Sequence, residues 1–380
     1  MQLIAKTLYG LENVLAKELI SLGASDINTS NRAVLFKGNH YLLYKTNYCC
    51  RTALSILMQI AEFQIKSKDD LYKYSQKINW EMYLEVVDTF SIVPVVNSHL
   101  FHHTGYPGLI LKDAIADWFR KRKGKRPSVD TVNPRILINL HISNERVNVS
   151  IDSSVIPLYK RGYRHSGSVA PINEVLAAGI ILLSGWNATN SLLDPMCGSG
   201  TIPIEAGLIA CKIPPGKFRK SFGFQNWKDY DNELFNNIRK ECNEQMTSSP
   251  VQITGTDISE RAVEEARANI ERAGLSDTIT IEVMDFQHLK AIDKDGFVIM
   301  NPPYGKRIKP EETDKLYSMI GATLKHNFSG NKVWIITSNK GSLKHVGLKP
   351  REKQTVFNGP LECVLINYEM YHGTRKKGEN

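Results

Sequence analysis

From about residue 165 onward, short apolar runs alternate with segments whose apolar residues recur at helical spacing. The runs predict strands in SLLD, VQITGTD, TITIEVMD, FVIM, KVWIITS and ECVLINYEMY. The periodic segments predict helices in TIPIEAGLIA, SERAVEEARANIERAG and KLYSMIGATLKHNF. Alternation of this kind favours βαβ units and a mostly parallel, doubly wound sheet. In such sheets, ligands bind outside the carboxyl ends of the strands.

The first 160 residues have a different pattern. Residues 1–45 predict a strand, then a helix that Gly23 ends, then a hairpin. The following region contains a helix in LILKDAIADWFRKRKGKRP and two alternating strands, RILINLHIS and RVNVSIDSS. The basic, glycine-bearing segment LYKRGYRHSGSVAP reads as a linker.

Composition places the chain among ordinary globular proteins. Its 380 residues are 42% hydrophobic and 23% charged, and they suffice for two or three domains. Glu12 and Lys17 interrupt the first apolar patch, so neither a signal peptide nor a membrane span is expected. Six cysteines without a C-x-x-C pair argue against a zinc ribbon and a disulfide scaffold. We therefore expect a cytoplasmic protein with reduced thiols.

The charge balance points to a polyanionic partner. The formal net charge is +9, and basic residues cluster in the run Arg120–Arg126 at the end of a predicted helix. This run either contacts RNA phosphates or is a solvated helix end stabilised by the helix dipole. No metal is expected, because His99, His102 and His103 have no partners at ligand spacing.

A glycine-rich loop follows the first strand of the alternating region, in the sequence DPMCGSGT. Glycines at a strand-to-helix turn let a ligand approach the backbone and reach free N–H groups. Pro203 breaks the dinucleotide fingerprint, and a Walker lysine is absent. The loop is either a ligand cradle or a tight turn of any α/β protein. Cys197 within it lacks a partner base and is expected only to line the loop.

Two carboxylates follow the next two strands. Asp257 is placed to accept from ribose hydroxyls, and Asp285 from an adenine amino group, although each is also a candidate helix N-cap. Two successive carboxylates beside a glycine loop favour an adenosine-containing ligand.

The fourth strand ends in NPPYG. The side-chain carbonyl of Asn301 and the main-chain carbonyl of Pro302 are suited to accept both N–H groups of an exocyclic amine on a flat base. Pro303 stiffens the loop, and Tyr304 is suited to stack on the base. The alternative is a loop that merely ends the strand.

In this order, DPMCGSGT, TD, MD and NPPYG resemble class I S-adenosylmethionine-dependent methyltransferases that act on an exocyclic nitrogen. Together with RGYR, API-NE, SGW and NGPLECV, they resemble more closely the bacterial large-subunit rRNA guanine-N2 methyltransferases. The resemblance implies an α/β fold: a Rossmann-like class I domain with a mostly parallel seven-stranded sheet, preceded by α+β ferredoxin-like and THUMP RNA-binding segments. Some members carry a second methyltransferase domain, which is not expected here.

The expected boundaries divide the chain into four parts. These are a ferredoxin-like segment at 1–45, a THUMP domain at 46–158, a linker at 159–170 and a methyltransferase domain at 171–380. The long spacing between Gly200 and Asp257 predicts an insertion at about 211–250. Its interleaved aromatic and basic residues suit either unpaired RNA bases or an aromatic core that covers the sheet.

The resemblance implies an enzyme that uses S-adenosylmethionine, releases S-adenosylhomocysteine (SAH) and acts on RNA, with N2 of a guanosine in large-subunit rRNA as the first expectation. An N6-adenine target on RNA or DNA, a tRNA guanosine, and a non-catalytic RNA-binding protein with a degenerate methyltransferase fold stay open. The oligomeric state is not predicted.

The predicted site residues form three groups. The catalytic group is Asn301, Pro302, Pro303 and Tyr304. The cofactor-binding group is Asp194, Met196, Cys197, Gly198, Ser199, Gly200, Thr201, Asp257, Ile258, Asp285, Phe286 and Asn301. The RNA-binding group is Lys112, Arg120, Lys121, Arg122, Lys123, Lys125, Arg126, Arg161 and Arg164.

Overall fold

A computed structural model describes residues 1–164, 172–249, 251–303 and 310–371, with residues 310 and 311 described by their backbone alone. The chain divides into two compact units. The first comprises Met1–Thr7, Ala16–Leu158 and Arg219–Lys240. The second comprises Leu8–Leu15, Tyr159–Phe218 and the described residues from Glu241 onward.

The first unit is built on a mixed sheet with the strand order β2-β3-β1-β4-β8-β7-β5-β6. Its strands are β1 (Gln2–Lys6), β2 (Ser25–Ser30), β3 (Ala33–Lys37), β4 (Ser55–Gln64), β5 (Thr89–Asn97), β6 (Ser128–Val129), β7 (Ile136–Ser143) and β8 (Arg146–Asp152). Its helices include α2 (His40–Cys49), α3 (Lys68–Ser75) and α4 (Tyr106–Lys123), while α1 (Glu12–Ser21) contributes residues to both units. The predicted strand, helix and hairpin of residues 1–45 are all present.

The insertion is divided between the two units, and its ends, up to Phe218 and from Glu241, belong to the second unit. Most of it, Arg219–Lys240, belongs to the first unit and includes most of α7 (Asn232–Glu244). Phe224 is fully buried, and its ring stacks on Tyr44 of α2 with centroids 4.4 Å apart. Phe235 of α7 meets Phe224 edge-on at 5.0 Å. Phe222, Phe224 and Phe235 are therefore core side chains whose rings contact one another, which favours the aromatic-core interpretation over contact with unpaired bases for these three residues.

The second unit contains a seven-stranded sheet with the order β11-β10-β9-β12-β13-β15-β14. Its strands are β9 (Leu192–Asp194), β10 (Ile253–Asp257), β11 (Ile279–Val283), β12 (Phe297–Met300), β13 (Lys332–Thr337), β14 (Glu352–Asn358) and β15 (Leu361–Glu369). Its remaining helices are α5 (Glu174–Leu183), α6 (Thr201–Ala210), α8 (Glu260–Arg272) and α9 (Pro310–Asn327). The strands β11, β10, β9, β12 and β13 are parallel, and β15 is antiparallel to both of its neighbours, β13 and β14.

The strand order reverses beside β9. The chain passes outward through β10 and β11 and then returns to the other side of β9 as β12. Ligands in open α/β sheets bind at such a switch point, outside the carboxyl ends of the strands. The ends of β9 and β12 carry Asp194 and Asn301, so the fold brings these two polar residues to the position where a ligand is expected.

Residues Leu8–Leu15 belong to the second unit, although the predicted boundaries place them in a separate N-terminal segment at 1–45. Leu11 packs against α5 so closely that a Cβ on Gly179 would lie 2.5 Å from Leu11 Cδ1. Gln354 of β14 donates a hydrogen bond to the Gly10 carbonyl at 2.7 Å. Within the described residues, no helix combines the length and the apolar character needed to cross a bilayer.

Candidate active site

The glycine loop connects β9 to α6 and depends on two left-handed backbone positions. Gly198 has φ +53° and Gly200 has φ +82°, a region in which other residues are strained. A Cβ on Gly198 would point into open space, whereas a Cβ on Gly200 would lie 3.1 Å from Ala266 Cβ of α8. The loop therefore leaves room for a ligand at Gly198 and packs tightly on a helix at Gly200.

Asp257 at the end of β10 holds this loop. Its Oδ2 accepts a hydrogen bond from Gly198 N–H at 2.9 Å, and its Oδ1 accepts one from Ser259 N–H at 2.9 Å. The N-cap of α8 is Ser259, whose side chain accepts from Ala262 N–H. The capping alternative thus fails for Asp257, and the carboxylate is oriented toward the loop. Asp285 does act as a cap, since its side chain accepts from Gln287 N–H in a short 3-10 turn.

Asp194 is the buried carboxylate of the site, only 2% exposed. Burial raises its pKa well above the ordinary value, and the charge of Asp257 acts in the same direction. Its Oδ1 accepts a hydrogen bond from Met196 N–H at 3.2 Å, which opposes the shift. Burial also raises the pKa of the Cys197 thiol well above its usual range, which disfavours the thiolate that a nucleophile needs.

Asn301 follows the buried strand β12 directly. Its side-chain oxygen is buried, yet it accepts no hydrogen bond from any residue within the described ranges. Ser199 Oγ in the glycine loop is likewise buried and has no partner among the described residues. Buried polar atoms without partners are uncommon, so two of them beside one glycine loop are consistent with a site that a ligand or water completes.

These residues line a cleft of about 550 Å³, a typical size for a small-molecule site. Every predicted cofactor residue lines it except Gly200, which lies behind the loop against α8. Of the predicted catalytic residues, Asn301 and Pro303 line the cleft and Pro302 is buried next to them. Tyr304 lies outside the described residues.

Several residues that line the cleft are not among the predicted site residues. They come from the glycine loop and α6, from α8 and its N-cap, from α9, and from the segments before α5 and after β11. They are Ile172, Pro195, Ile202, Ser259, Arg261, Ala262, Glu265, Met284, Leu316 and Met319. Arg261 and Glu265 stand one helical turn apart at the start of α8, directly after Asp257. Their i, i+4 spacing beside a strand-end carboxylate is the signal that was available for them.

Two of the predicted RNA-binding residues pair with carboxylates of this chain. Arg161 is 1% exposed and pairs with Glu205, which is 0% exposed, so it cannot reach RNA phosphates in this structure. Arg164 is 18% exposed and pairs with Glu174. The burial of Arg161 argues against its predicted RNA contact, because the sequence RGYR resembles a surface linker whereas the chain pairs this guanidinium with a buried carboxylate. RNA contact by Arg164 stays a prediction.

The basic end of α4 is exposed. Gly124 in the left-handed conformation ends the helix after Lys123, and the last turn contains Arg120–Lys123. Arg122 lies over the Trp118 ring at 4.3 Å, Arg120 pairs with Asp117, and Lys123 pairs with Glu81. Lys121, Lys125 and Arg126 are exposed, whereas Lys112 is half-buried and pairs with Asp113. These positions stay predictions for RNA contact.

The family model for the RMKL-like methyltransferase domain matches residues 161–367, more than half of the chain. The chain belongs to this family. Residues 66–152 match the THUMP domain, and residues 2–57 match the RlmL ferredoxin-like domain. The predicted family and the order of its three segments are therefore confirmed.

Relatives of this family member cover nearly all of its length. A protein of Synechocystis sp., provisionally named an RNA methyltransferase, is 35% identical over 95% of both chains. The ribosomal RNA large subunit methyltransferase K/L of Syntrophotalea carbinolica is 34% identical over 95% of this chain and 52% of its own length. The chain thus spans about half the length of the K/L relatives that it matches.

Solved structures confirm the class I methyltransferase fold. A provisionally named methyltransferase in complex with SAH is 32% identical, with a TM-score of 0.87 and 99% of both chains covered. A Listeria monocytogenes protein, named as a predicted N6-adenine-specific DNA methylase, is 30% identical over 97% of this chain and 96% of its own, with a TM-score of 0.87.

The site of this family member fits S-adenosylmethionine, the cofactor that the sequence predicts. Asp257 lines the cleft beside the glycine loop, the Cβ position of Gly198 faces open space, and Ser199 Oγ lacks a partner among the described residues. The cleft volume and this set of polar groups suit an adenosine-containing ligand.

Proposed function

We propose that this protein transfers a methyl group from S-adenosylmethionine to the exocyclic N2 of a guanosine in RNA, with large-subunit rRNA as the substrate. The observation that carries the proposal is the buried side-chain oxygen of Asn301, which has no hydrogen-bond partner in the described part of the chain and lines the same cleft as the glycine loop. The K/L relatives support the choice of rRNA, and the match to the THUMP domain supports an RNA substrate.

Asn301 is suited to hold an aromatic amine in a reactive geometry. The lone pair of such an amine is delocalised into the ring, which makes the nitrogen a weak nucleophile. When Asn301 Oδ1 accepts one of its N–H groups, the nitrogen is drawn toward a tetrahedral arrangement and its lone pair is directed into the cleft. A main-chain acceptor at Pro302 serves the second N–H, because two prolines keep this backbone extended and rigid.

S-adenosylmethionine, when bound, supplies an electrophilic methyl group on a sulfonium. Asp257, Asp285 and the glycine loop orient it, and Asn301 and Pro302 orient the amine for in-line displacement. The amine becomes acidic only as the new N–C bond forms, and it then loses one proton to solvent. Positioning and preorganised dipoles therefore supply most of the catalysis, and no strong base is required.

An N6-adenine target is the second candidate. Its amine would fit Asn301 equally well, and the Listeria monocytogenes relative named as an adenine-specific DNA methylase favours it. Incubation of the protein with labelled S-adenosylmethionine and RNA lacking its modifications, followed by nucleoside analysis, separates the two. N2-methylguanosine supports the first candidate and N6-methyladenosine the second, whereas an unlabelled RNA would refute transfer to RNA.

Asn301→Ala tests whether the side-chain oxygen of Asn301 accepts a hydrogen bond from the exocyclic amine. We expect the methyl-transfer rate to fall by about 100-fold or more, since a preorganised acceptor in a cleft contributes roughly 3 kcal/mol. The affinity for SAH, measured by calorimetry, should change by less than about threefold. Asn226→Ala, at an exposed asparagine of the first unit, is the matched control. An Asn301→Ala rate close to that of the native protein would contradict the role given to this amide.

A further inference from the structure

A buried ion pair lies directly behind the glycine loop. Arg161 Nε and Nη2 donate to the two carboxylate oxygens of Glu205 at 3.3 and 3.4 Å, and the two side chains are 1% and 0% exposed. The Tyr163 hydroxyl donates to the same carboxylate at 3.0 Å. Glu205 stands one turn after Thr201 in α6. The segment that contains Arg161 and Tyr163 is therefore fixed to α6, the helix that follows the glycine loop.

Arg164 extends this attachment to the cleft itself. Its Nη2 donates to Thr201 Oγ1 at 2.6 Å and to the Ile172 carbonyl at 3.4 Å. Its Nη1 pairs with Glu174 at 3.3 Å. Thr201 and Ile172 both line the cleft, so one guanidinium bridges two of its walls.

The loop is held from a second direction by α8. Arg272 Nη1 donates to the Tyr163 carbonyl at 3.4 Å and to Asn269 Oδ1 at 2.7 Å. Asn269 Nδ2 in turn donates to the Ser199 carbonyl at 3.0 Å. Hydrogen bonds thus run from the segment Arg161–Arg164 to both ends of the turn that contains Ser199 and Thr201.

Stability alone does not explain this arrangement. Buried ion pairs contribute little net stability compared with apolar residues of similar volume, because desolvation offsets the attraction between the charges. A planar guanidinium with several fixed donors is, however, well suited to hold two acceptors at a set separation. The observed acceptors, Thr201 Oγ1 and the Ile172 carbonyl, are both parts of the cleft wall.

We propose that the segment Arg161–Arg164 positions the glycine loop for the adenosine-containing cofactor, and that Arg164 is the positioning residue that acts through Thr201. This inference rests on the proposed function, since it assigns a cofactor to the cleft. It gives the RGYR sequence a task in cofactor binding.

Calorimetric titration of the full chain with SAH, in the absence of RNA, tests the proposal. Arg164→Met should weaken SAH binding by about 10-fold or more, because loss of a charge-assisted hydrogen bond corresponds to roughly 1.5 kcal/mol or more. Arg164→Lys keeps the charge but cannot bridge both acceptors, so its loss should be intermediate. Arg351→Met is the control, because Arg351 is an exposed arginine of the same unit that pairs with Glu369 and does not line the cleft.

A double-mutant cycle shows whether Arg164 acts through Thr201. Thr201→Val removes the acceptor, so Arg164→Met in that background should cost distinctly less SAH affinity than it does alone. In steady-state assays, Arg164→Met should raise the KM for S-adenosylmethionine while the KM for RNA stays within about twofold. A purely structural role would lower the melting temperature without this selective change.

The outcomes separate this inference from the proposed function. SAH binding by Arg164→Met or Arg164→Lys that equals the binding of Arg351→Met overturns the positioning role and leaves the proposed function standing. Additive losses in the cycle likewise overturn action through Thr201. If the native protein does not bind SAH, both proposals fail. If Arg164→Met does not fold, the Arg164→Lys variant and its KM values decide the question.

Discussion

At the scale of single residues, the cleft collects polar groups that the free protein does not satisfy. Asp194 is a buried carboxyl with a raised pKa, and Asn301 Oδ1 and Ser199 Oγ have no partners among the described residues. Each of these features costs stability in the absence of a ligand. Binding and catalytic sites tolerate such costs. A substitution at these positions is therefore expected to raise the free energy of unfolding while it weakens binding or catalysis.

Asp194→Asn tests this separation. Burial raises the pKa of Asp194, so the native state holds a proton over a pH range in which the unfolded chain has released it. The free energy of unfolding therefore falls as pH rises from about 4 through the raised pKa. The amide variant lacks this loss, so its melting temperature should exceed that of the native protein by a margin that grows with pH.

At the upper end of this pH range, where more of the Asp194 carboxyl is ionised, the same variant should bind SAH about 10-fold more weakly, because an amide cannot supply the charge-assisted hydrogen bond of a carboxylate, which contributes roughly 1.5 kcal/mol. Thermal scans between pH 5 and pH 8 and calorimetry measure the two effects. Asp295→Asn, at an exposed carboxyl of the same unit, is the matched control. An Asp194→Asn protein less stable than the native one at every pH would contradict the argument.

At the scale of elements, the sheet topology places the ends of β9, β10, β11 and β12 around one cleft. The sequence predicted this edge because apolar runs and strand-end residues are local signals. It did not distinguish the cap at Asp285 from the loop contact of Asp257, since both residues precede similar turns. The distinction depends on whether Ser259 takes the capping position, which only the backbone geometry decides.

Gly200→Ala tests whether the left-handed backbone at the last residue of the glycine loop, directly before α6, is needed for the loop geometry. The left-handed φ of +82° and the Cβ of Ala266 at 3.1 Å both oppose a side chain there. Gly274→Ala is the matched control, because Gly274 has φ +64° and open space around its Cβ. Both variants should lose about 1 to 2 kcal/mol from backbone strain.

Only Gly200→Ala should also weaken SAH binding, by about 10-fold, because the loop must shift away from α8. Denaturant unfolding and calorimetry measure the two quantities. Equal SAH affinities for the two variants would show that the packing on Ala266 does not set the loop geometry.

At the scale of the whole molecule, the cleft and the exposed basic helix end belong to different units. The cleft is formed by residues of the second unit, whereas the exposed basic end of α4 belongs to the first. The net charge of +9 suits a polyanionic substrate. We therefore expect substrate affinity and cofactor affinity to respond to different substitutions.

Lys121→Gln with Lys125→Gln should weaken binding to rRNA fragments and reduce the slope of log affinity against log salt by about one per lost phosphate contact. SAH affinity should not change. Lys290→Gln with Lys294→Gln removes two exposed lysines of the second unit and is the control. Fluorescence anisotropy across a salt series measures the slope, and identical slopes for the two double variants would exclude the end of α4 from the RNA interface.

The sequence by itself determined the family, the alternation of strands and helices, and the residues at the strand ends. These follow from periodicity and from short motifs, which depend on neighbours close in the chain. Only the tertiary structure decided the roles of Arg161, Arg164 and the aromatic insertion. Their partners Glu205, Thr201 and Tyr44 are distant in sequence, and burial depends on which distant segments pack together. The sequence around a basic residue does not show whether the residue contacts RNA or pairs with a buried carboxylate. It likewise does not show whether an aromatic residue contacts RNA or packs in a core.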